Sequence, residues 1–373
     1  MNIIQLDIKS AYLNAPLDKE IYATIPPGDP NYNNGFWRLK KALYGLKQSG
    51  RQWNYTTTNF LLSIGFIQLS TEKCIFKKLL NNKLICIIGL YVDDMIIIGE
   101  QDEVYNVIKE IKIKFKISKC DAVDSILGIN VRLEKHFIYS ISQENFIMNL
   151  LDKYNICNVK KSKTPCKGNN SISENETPFD KTIYKSAIGA LIFLSRCTQP
   201  DISFAVNKAA RKSEEPNLSD WKMIVNIFKY LNSTKHYKIV YNGVGHINAY
   251  SDSDFAGDSN DRKSTSGYII LMGNSAICWS SKKQSIVATS TTEAEYISTS
   301  ECIKKILWIR NIFKELLNID KEITIYTDNL SSKTTMENGD LNSKLKHIDI
   351  KYHFNRDNID KRQLNYNTLI QIK

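Results

Sequence analysis

The chain has 373 residues, of which 42% are apolar and 24% charged, and its net charge is +11. This apolar content excludes a disordered chain, and the length is enough for two or three packed units. The longest apolar run, Leu84–Val92, meets Asp93 and Asp94 well before the roughly 20 residues that a membrane span needs. The basic excess on a folded chain favours a polyanionic partner such as a nucleic acid.

The first 165 residues mix strand-like and helix-like patterns. Apolar alternation predicts a short strand over Asn2–Leu6, and Phe36–Phe66 predicts a turn followed by an amphipathic helix. Asn81–Lys83 predicts a turn between two strands. The strands predicted around it are Cys74–Lys77, Leu84–Tyr91 and Met95–Gly99, and a helix is predicted over Val104–Phe115.

A polar stretch, Cys166–Lys181, is the best linker candidate because it holds almost no apolar residues. Residues 182 to 240 carry three successive helical patterns, which predict a helical connector. The elements predicted after it are strands at Ile247–Asp254, Gly267–Gly273 and Ala276–Ser281, a helix at Thr292–Leu317, a strand at Glu322–Asp328 and an amphipathic segment at Leu345–Ile359.

Two adjacent carboxylates, Asp93 and Asp94, lie between apolar strands and therefore at the tip of a predicted β-hairpin. Two interpretations of this pair stay open at this point: ordinary turn chemistry, or carboxylates on a rigid hairpin that hold a hard cation. Asp7 ends the first predicted strand and favours the second, because two strands that each end in Asp can surround one pair of metal ions. Tyr12 would then lie under the sugar of an incoming nucleotide.

Several longer motifs occur in one order along the chain, among them QLDIKSAYLN, LKKALYGLKQSGRQW, LYVDDMIIIG, YKSAIGALIFLSRCTQPDISFAV, YSDSDFAGD and ICWSSKKQSIVATSTTEAEY. Taken together, from residue 3 to about residue 356, they resemble the pol region of a copia-type LTR retrotransposon. The resemblance implies a multidomain fold of the α+β and α/β classes. It would have a polymerase palm-type antiparallel sheet with helices, a helical connector, and a ribonuclease H-like mixed sheet flanked by helices.

The resemblance also implies domain boundaries. Residues 1–165 would form the reverse transcriptase part, with palm and thumb-like portions and truncated fingers. Residues 166–243 would form the linker and helical connection, and residues 244–373 a ribonuclease H-like domain that is truncated at its C-terminus.

In the reverse transcriptase part, Asp7, Asp93 and Asp94 match the metal-binding catalytic triad of the palm. Tyr12 matches the aromatic steric gate that rejects a ribose 2′-hydroxyl. The residues expected to contact nucleotide or template are Tyr12, Tyr44, Lys47 and Arg51. Trp53, which lies among them, is better interpreted as helix core.

In the C-terminal part, Asp252, Glu295 and Asp328 match three of the four acidic metal ligands of ribonuclease H. Ser264–Ser266 could bond phosphates of a hybrid or could simply form a turn, and both interpretations stay open. The neighbouring acidic residues expected to face solvent instead are Asp254, Asp258 and Glu293.

The activity implied by the resemblance is RNA-directed DNA polymerisation together with hydrolysis of the RNA of an RNA–DNA hybrid. The implied cofactor is Mg²⁺ or Mn²⁺, and the implied partners are an RNA template, a DNA primer, the RNA–DNA hybrid and deoxynucleoside triphosphates. A homodimer is left open, and no membrane partner is expected. The expected location is cytoplasmic, with a virus-like particle or the nucleus as alternatives, and not secreted, because charged residues occupy the place of a signal peptide's apolar core.

Both ends of the chain favour an alternative to an active polymerase and nuclease. Only six residues precede Asp7, where the family carries a fingers region, and no Ala-Asp pair follows to supply a fourth nuclease ligand. The alternative is a truncated, catalytically inactive remnant that only binds nucleic acid. A third interpretation is a gene model cut from a longer pol.

Overall fold

The computed structural model describes residues 2–32, 35–135, 138–156, 159–166, 177–243, 245–320, 323–329, 354–355, 357–358 and the backbone of Leu364–Thr368. Most of the predicted linker and of the amphipathic segment Leu345–Ile359 therefore lies outside the described residues. The chain divides into two compact units, Met1–Ile126 with Asn311–Asp320, and Leu127–Arg310 with Lys321–Lys373. Among the helices described, none combines the length and apolarity needed to cross a bilayer.

The first unit contains short strands and two longer helices. In chain order, its strands are β1 (Asn2–Ile8), β2 (Tyr22–Thr24), β3 (Phe36–Arg38), β4 (Ile67–Gln68), β5 (Ile75–Leu80), β6 (Lys83–Tyr91), β7 (Asp94–Gly99), β8 (Ile117–Ala122) and β9 (Ser125–Ile126). The helices are α1 (Ser49–Ser63) and α2 (Gln101–Lys114), and a short 3-10 helix covers Ala11–Asn14.

The main sheet of this unit has the strand order β4-β5-β6-β7-β1-β8, and each pair of neighbours is antiparallel. Asn81 and Asn82 have left-handed backbone angles, with φ of 50° and 62°, which a tight hairpin turn between β5 and β6 requires. Ile88, Ile97 and Ile111 are fully buried where the sheet meets α2. The predicted palm-type antiparallel sheet with helices is confirmed.

The second unit begins with a helical part. Its elements are strands β10 (Ile129–Leu133) and β11 (Tyr139–Ser142), helices α3 (Glu144–Lys153), α4 (Lys181–Cys197), α5 (Ser203–Ala210) and α6 (Leu218–Thr234), and strand β12 (Ile239–Tyr241). The helices enclose a core that includes Tyr184, Leu191 and Phe228, all fully buried. The predicted helical connector thus corresponds to α4, α5 and α6.

The remaining elements are strands β13 (Ile247–Asp254), β14 (Thr265–Met272) and β15 (Ser275–Lys283), helix α7 (Thr291–Leu317), and strands β16 (Ile323–Thr327) and β17 (Leu364–Thr368). They form a sheet of order β15-β14-β13-β16-β17, in which β13, β14 and β15 are antiparallel. β16 lies parallel to β13 and to β17, so the sheet is mixed, as predicted. Parallel pairing brings the carboxyl ends of β13 and β16 to one edge of the sheet.

An ion-pair cluster joins α5 to the loop that follows β13. Arg211 Nη1 lies 3.0 Å from Asp258 Oδ2, and Lys283 Nζ lies 2.6 Å from the same oxygen. Arg211 also donates to Thr265 Oγ1 at 3.0 Å. Burial opposes ionisation of Asp258, but hydrogen bonds from Lys283, the Asn260 backbone and Arg211 outweigh it and lower its pKa.

Candidate active sites

The hairpin between β6 and β7 is held by main-chain contacts on both sides. Tyr91 pairs with Asp94, which leaves Val92 and Asp93 as the turn. The Asp93 carbonyl accepts from the Ile8 amide of β1 at 2.9 Å. Val92 has a left-handed backbone with φ of 53°, which is costly for a β-branched residue.

Trp53 on α1 supports this turn. Its side chain is 2% exposed, and its Nε1 donates to the Val92 carbonyl at 2.6 Å. The ring also packs edge-on against Phe115, with centroids 5.2 Å apart. Trp53 is therefore core, as predicted, and it also holds the strained backbone beside Asp93, a role that helical periodicity does not reveal.

Replacing Trp53 by Phe is expected to lower the free energy of unfolding by about 1 kcal/mol, because it removes one hydrogen bond and keeps a ring. Urea unfolding of the wild type and the variant measures the difference. Tyr55→Phe, on an exposed face of the same helix, is the control and should leave the free energy of unfolding unchanged. A Trp53→Phe variant as stable as the wild type would contradict a supporting role for this hydrogen bond.

Asp7 and Asp94 face each other across the pair of strands β1 and β7. Directly opposed residues in antiparallel strands project to the same face of the sheet. Ser118 Oγ donates to a carboxylate oxygen of Asp7, and Gln5 Nε2 lies 3.4 Å from Asp94 Oδ1. Partial burial raises the pKa of Asp7, and the charges of Asp93 and Asp94 raise it further.

Two tyrosines lie beside these carboxylates. The rings of Tyr12 and Tyr44 have centroids 4.5 Å apart and a tilt of 46°. Burial raises the pKa of Tyr44, and the nearby charges of Asp93 and Asp7 add to the shift. The two tyrosines therefore lie close to the carboxylates of the hairpin.

The two basic residues predicted for this site, Lys47 and Arg51, have different surroundings. Lys47 is exposed on the segment that leads into α1. Arg51 lies in the first turn of that helix and pairs with Asp18 at 2.8 Å, with 74% of its side chain exposed. Nucleic-acid contact by either residue stays a prediction.

Asp7, Asp93 and Asp94 form the first acidic cluster, and Asp252, Glu295 and Asp328 form the second. The carboxylates of the second cluster lie closer together. Asp252 lies in β13, Glu295 in α7, and Asp328 directly after β16. One carboxylate oxygen from each lies within 4.8 Å of the other two. The register of β13 with β16 pairs Tyr250 with Tyr326, so Asp252 and Asp328 extend the same register by two residues.

Glu295 is the buried member of the cluster, with 5% of its surface exposed. Its Oε1 accepts from the Ser253 amide at 3.0 Å and from Ser253 Oγ at 2.9 Å. Its Oε2 is buried and accepts no hydrogen bond. Burial raises the pKa of Glu295 to about 7, against the two Ser253 hydrogen bonds, and the charges of Asp252 and Asp328 contribute.

A divalent cation fits this second cluster. Glu295 is buried with one oxygen that has no hydrogen-bond donor, and its carboxylate converges with two others, so a bound cation would compensate the clustered negative charge. Among the residues described, the acids of the first cluster do not reach the same mutual distance of 4.8 Å. The first cluster is therefore defined by strand register and electrostatics rather than by ligand convergence.

Of the three acidic residues predicted to face solvent, two do not. Glu293 is fully buried, and its Oε2 accepts from the Thr289 amide at 2.6 Å at the start of α7. The Asp258 side chain is 9% exposed because of its ion pairs, and Asp254 is half-buried and accepts from the Thr265 amide. The prediction was therefore wrong for Glu293 and Asp258, whereas Asp254 is only partly buried.

Two serines whose role was open have internal partners. Ser264 is fully buried and its Oγ accepts from the Ala256 amide at 3.0 Å, while Ser266 Oγ accepts from Gln284 at 2.9 Å. Both hydroxyls are engaged inside the protein, which disfavours phosphate binding, and Ser266 lies in β14 rather than in a turn. Ser253, which sequence reasoning missed, is the serine that touches the acidic cluster, and its position next to Asp252 was the available signal.

Comparison with known proteins identifies relatives of this chain. Residues 1–168 match the family described as reverse transcriptase (RNA-dependent DNA polymerase). Over 98% of the chain, the sequence is 33% identical to the retrovirus-related Pol polyprotein from transposon TNT 1-94 of Nicotiana tabacum, and covers 28% of that protein. It is 34% identical over 97% of the chain to the Pol polyprotein from transposon RE1 of Arabidopsis thaliana, and covers 25% of it.

The chain belongs to the Pol proteins of copia-type retrotransposons. It spans about a quarter of the length of the curated relatives it matches. Among solved structures, it is similar to LC11-RNase H1 in complex with RNA/DNA hybrid, with 17% identity and a TM-score of 0.26, over 34% of this chain and 86% of that one.

Proposed function

We propose that this chain synthesises DNA on an RNA template at Asp7, Asp93 and Asp94, and hydrolyses the RNA of an RNA–DNA hybrid at Asp252, Glu295 and Asp328. The observation that carries the proposal is the convergence of the carboxylates of Asp252, Glu295 and Asp328, of which Glu295 is buried and has one oxygen, Oε2, without a hydrogen-bond donor. The polymerase would occupy residues 1–165, the connection 166–243 and the nuclease 244–373.

The cofactor proposed for both centres is Mg²⁺ or Mn²⁺. When bound in pairs, such ions activate the attacking oxygen and stabilise the leaving oxygen of an in-line displacement at phosphorus. In the nuclease, Asp252, Glu295 and Asp328 would hold the ions, and Ser253 would orient Glu295 through its two hydrogen bonds. The parallel register of β13 and β16 keeps Asp252 and Asp328 in place.

In the polymerase, Asp7, Asp93 and Asp94 would bind the ions on the face shared by β1 and β7. The partners would be a DNA primer, an RNA template and deoxynucleoside triphosphates. Tyr12, braced by Tyr44, would lie against the sugar of the incoming nucleotide and reject a 2′-hydroxyl by its bulk. The hydrogen bond from the Ile8 amide to the Asp93 carbonyl would hold the hairpin against β1 during the reaction.

Two assays on the purified full chain test the proposal. Primer extension on an RNA template and cleavage of an end-labelled hybrid are both expected in Mg²⁺, and neither in excess EDTA. Salt-sensitive binding of a primed template without extension or cleavage, by a chain that unfolds cooperatively, would contradict the proposal. That outcome would favour the binding-only remnant.

A further inference from the structure

A cleft of about 620 Å³ opens beside the second acidic cluster. One wall is the face of the sheet formed by β13, β14 and β15, and the other is the segment from Pro200 to Phe204 at the start of α5. Asp252 and Asp328 line the same cleft, so it is continuous with the proposed nuclease centre. Its volume is in the range of sites that enclose part of a ligand.

Phe204 is the unusual residue of the helical wall. It is 43% exposed, whereas its neighbours Ile202, Ala205 and Val206 are at most 3% exposed and belong to the helical core. An exposed aromatic ring inside a cleft, on a helix that buries its other apolar side chains, indicates a contact surface for a ligand. Tyr250 lies in the sheet wall and is stacked on Tyr326, with ring centroids 5.2 Å apart.

Hydrogen bonds and an ion pair connect the two walls. Trp279 Nε1 in β15 donates to the Ser195 carbonyl of α4 at 2.6 Å. Asp201 accepts from the Tyr230 hydroxyl of α6 at 2.6 Å, and Arg211 at the end of α5 joins Asp258. The Trp279 and Arg211 contacts join the helical part to the sheet, and the Asp201–Tyr230 bond braces the segment that carries Phe204.

The lining of the cleft indicates what it would hold. Among the residues that line it in the described part of the chain, none is Lys or Arg. Four aspartates do line it, Asp201, Asp252, Asp254 and Asp328, so these walls offer no cationic partner to a phosphate. The uncharged contacts that they offer include the Phe204 ring and the hydroxyls of Ser280 and Ser281. Such a surface suits the ribose face of a nucleic-acid strand better than its phosphates.

The proposed nuclease function already places the RNA strand in this cleft, and we propose in addition that a ribose of that strand packs against the ring of Phe204. This inference rests on the proposed nuclease function, because the strand that enters the acidic cluster is the one that continues into the cleft. Phe204 is then a substrate-binding residue supplied by the helical connection rather than by the nuclease sheet.

Phe204→Ala is expected to raise the Kd and KM for an RNA–DNA hybrid roughly tenfold, through loss of an apolar contact. The kcat of cleavage should stay within twofold, and primer extension should not change. The tenfold factor should be equal at 50 and 200 mM salt, because no phosphate contact is removed. Phe204→Tyr keeps the ring and should behave like the wild type.

Hybrid binding is measured by fluorescence anisotropy with a label on the DNA strand, and cleavage with an end-labelled RNA strand. Tyr237→Ala is the control, since Tyr237 is 60% exposed in the same unit and does not line the cleft. Thermal unfolding checks that each variant is folded. Because Phe204 is exposed, the Phe204→Ala variant is expected to fold like the wild type.

Unchanged Kd and KM in folded Phe204→Ala would overturn the inference and leave the nuclease proposal standing. So would a tenfold loss in Phe204→Tyr equal to that in Phe204→Ala. If the wild type binds the hybrid without cleaving it, the nuclease proposal fails, and the anisotropy measurement still decides the role of the cleft. A wild type that binds no hybrid contradicts both.

Discussion

Replacing Glu295 by Gln is expected to abolish hybrid cleavage and, at the same time, to stabilise the metal-free chain. The rate of hybrid cleavage should fall by about a hundredfold or more, because the change removes a charged ligand from the proposed metal centre. Stability should rise because Glu295 Oε2 is buried without a donor beside two other carboxylates. An amide in the same place carries no charge and can donate to them.

The stability gain has a defined pH dependence. Glu295 has a pKa raised to about 7 in the folded chain, above its ordinary value of 4.5, so its ionised form destabilises the fold. That cost is absent below pH 4.5 and is fully present above pH 7. The wild type in EDTA should therefore lose stability as the pH rises from 5 to 8, by about 2–3 kcal/mol at most. Glu295→Gln should lack this loss.

Thermal or urea unfolding at pH 5 and pH 8 measures this effect, and addition of Mg²⁺ extends it. Mg²⁺ should stabilise the wild type by mass action, by about 2.7 kcal/mol at 100 times its Kd, and should stabilise Glu295→Gln much less. Glu301→Gln, on the same helix in an exposed pair with Lys304, is the control and should match the wild type. A variant less stable than the wild type in EDTA at pH 8 would show that Glu295 is a structural acid.

The sequence located the acidic residues better than it located their surroundings. Asp7, Asp93 and Asp94 end predicted strands, and the predicted hairpin and first strand are present in the sheet. Local alternation is enough for this, because each strand carries its own apolar pattern. The convergence of Asp252 with Asp328 depends instead on the parallel pairing of β13 with β16, which no local pattern specifies.

The errors share a physical cause. Asp258 appeared solvent-facing because the surrounding loop is polar, yet Arg211 and Lys283 reach it from elements distant in sequence. Glu293 could have been assigned from its spacing, since Ser290 and Glu293 have the separation of a helix-start capping motif. For Trp53, burial was predictable from helical periodicity, but the hydrogen bond from its ring to the Val92 carbonyl was not. Tertiary partners decide the role of a polar atom, and periodicity reports only its face.

Replacing Asp93 by Asn is expected to reduce primer extension at least a hundredfold, roughly, while hybrid cleavage continues at the wild-type rate. Asn preserves the volume of the side chain, and the main chain of the turn stays fixed by the Ile8 amide. The loss therefore reports the missing charge at the proposed metal centre rather than a displaced hairpin. Removing the charge should also lower the pKa of Asp7, which the Asp93 charge helps to raise.

Single-nucleotide extension on an RNA template measures the first effect, and the end-labelled hybrid measures the second. Asp102→Asn removes an equal charge from an exposed position in the first turn of α2 and should leave extension within twofold. Since Glu295→Gln is expected to do the reverse, the two variants together separate the activities. If Asp93→Asn extended primers as fast as the wild type, the pairing of Asp7 with Asp94 would be ordinary sheet register, and DNA synthesis would have to be assigned elsewhere.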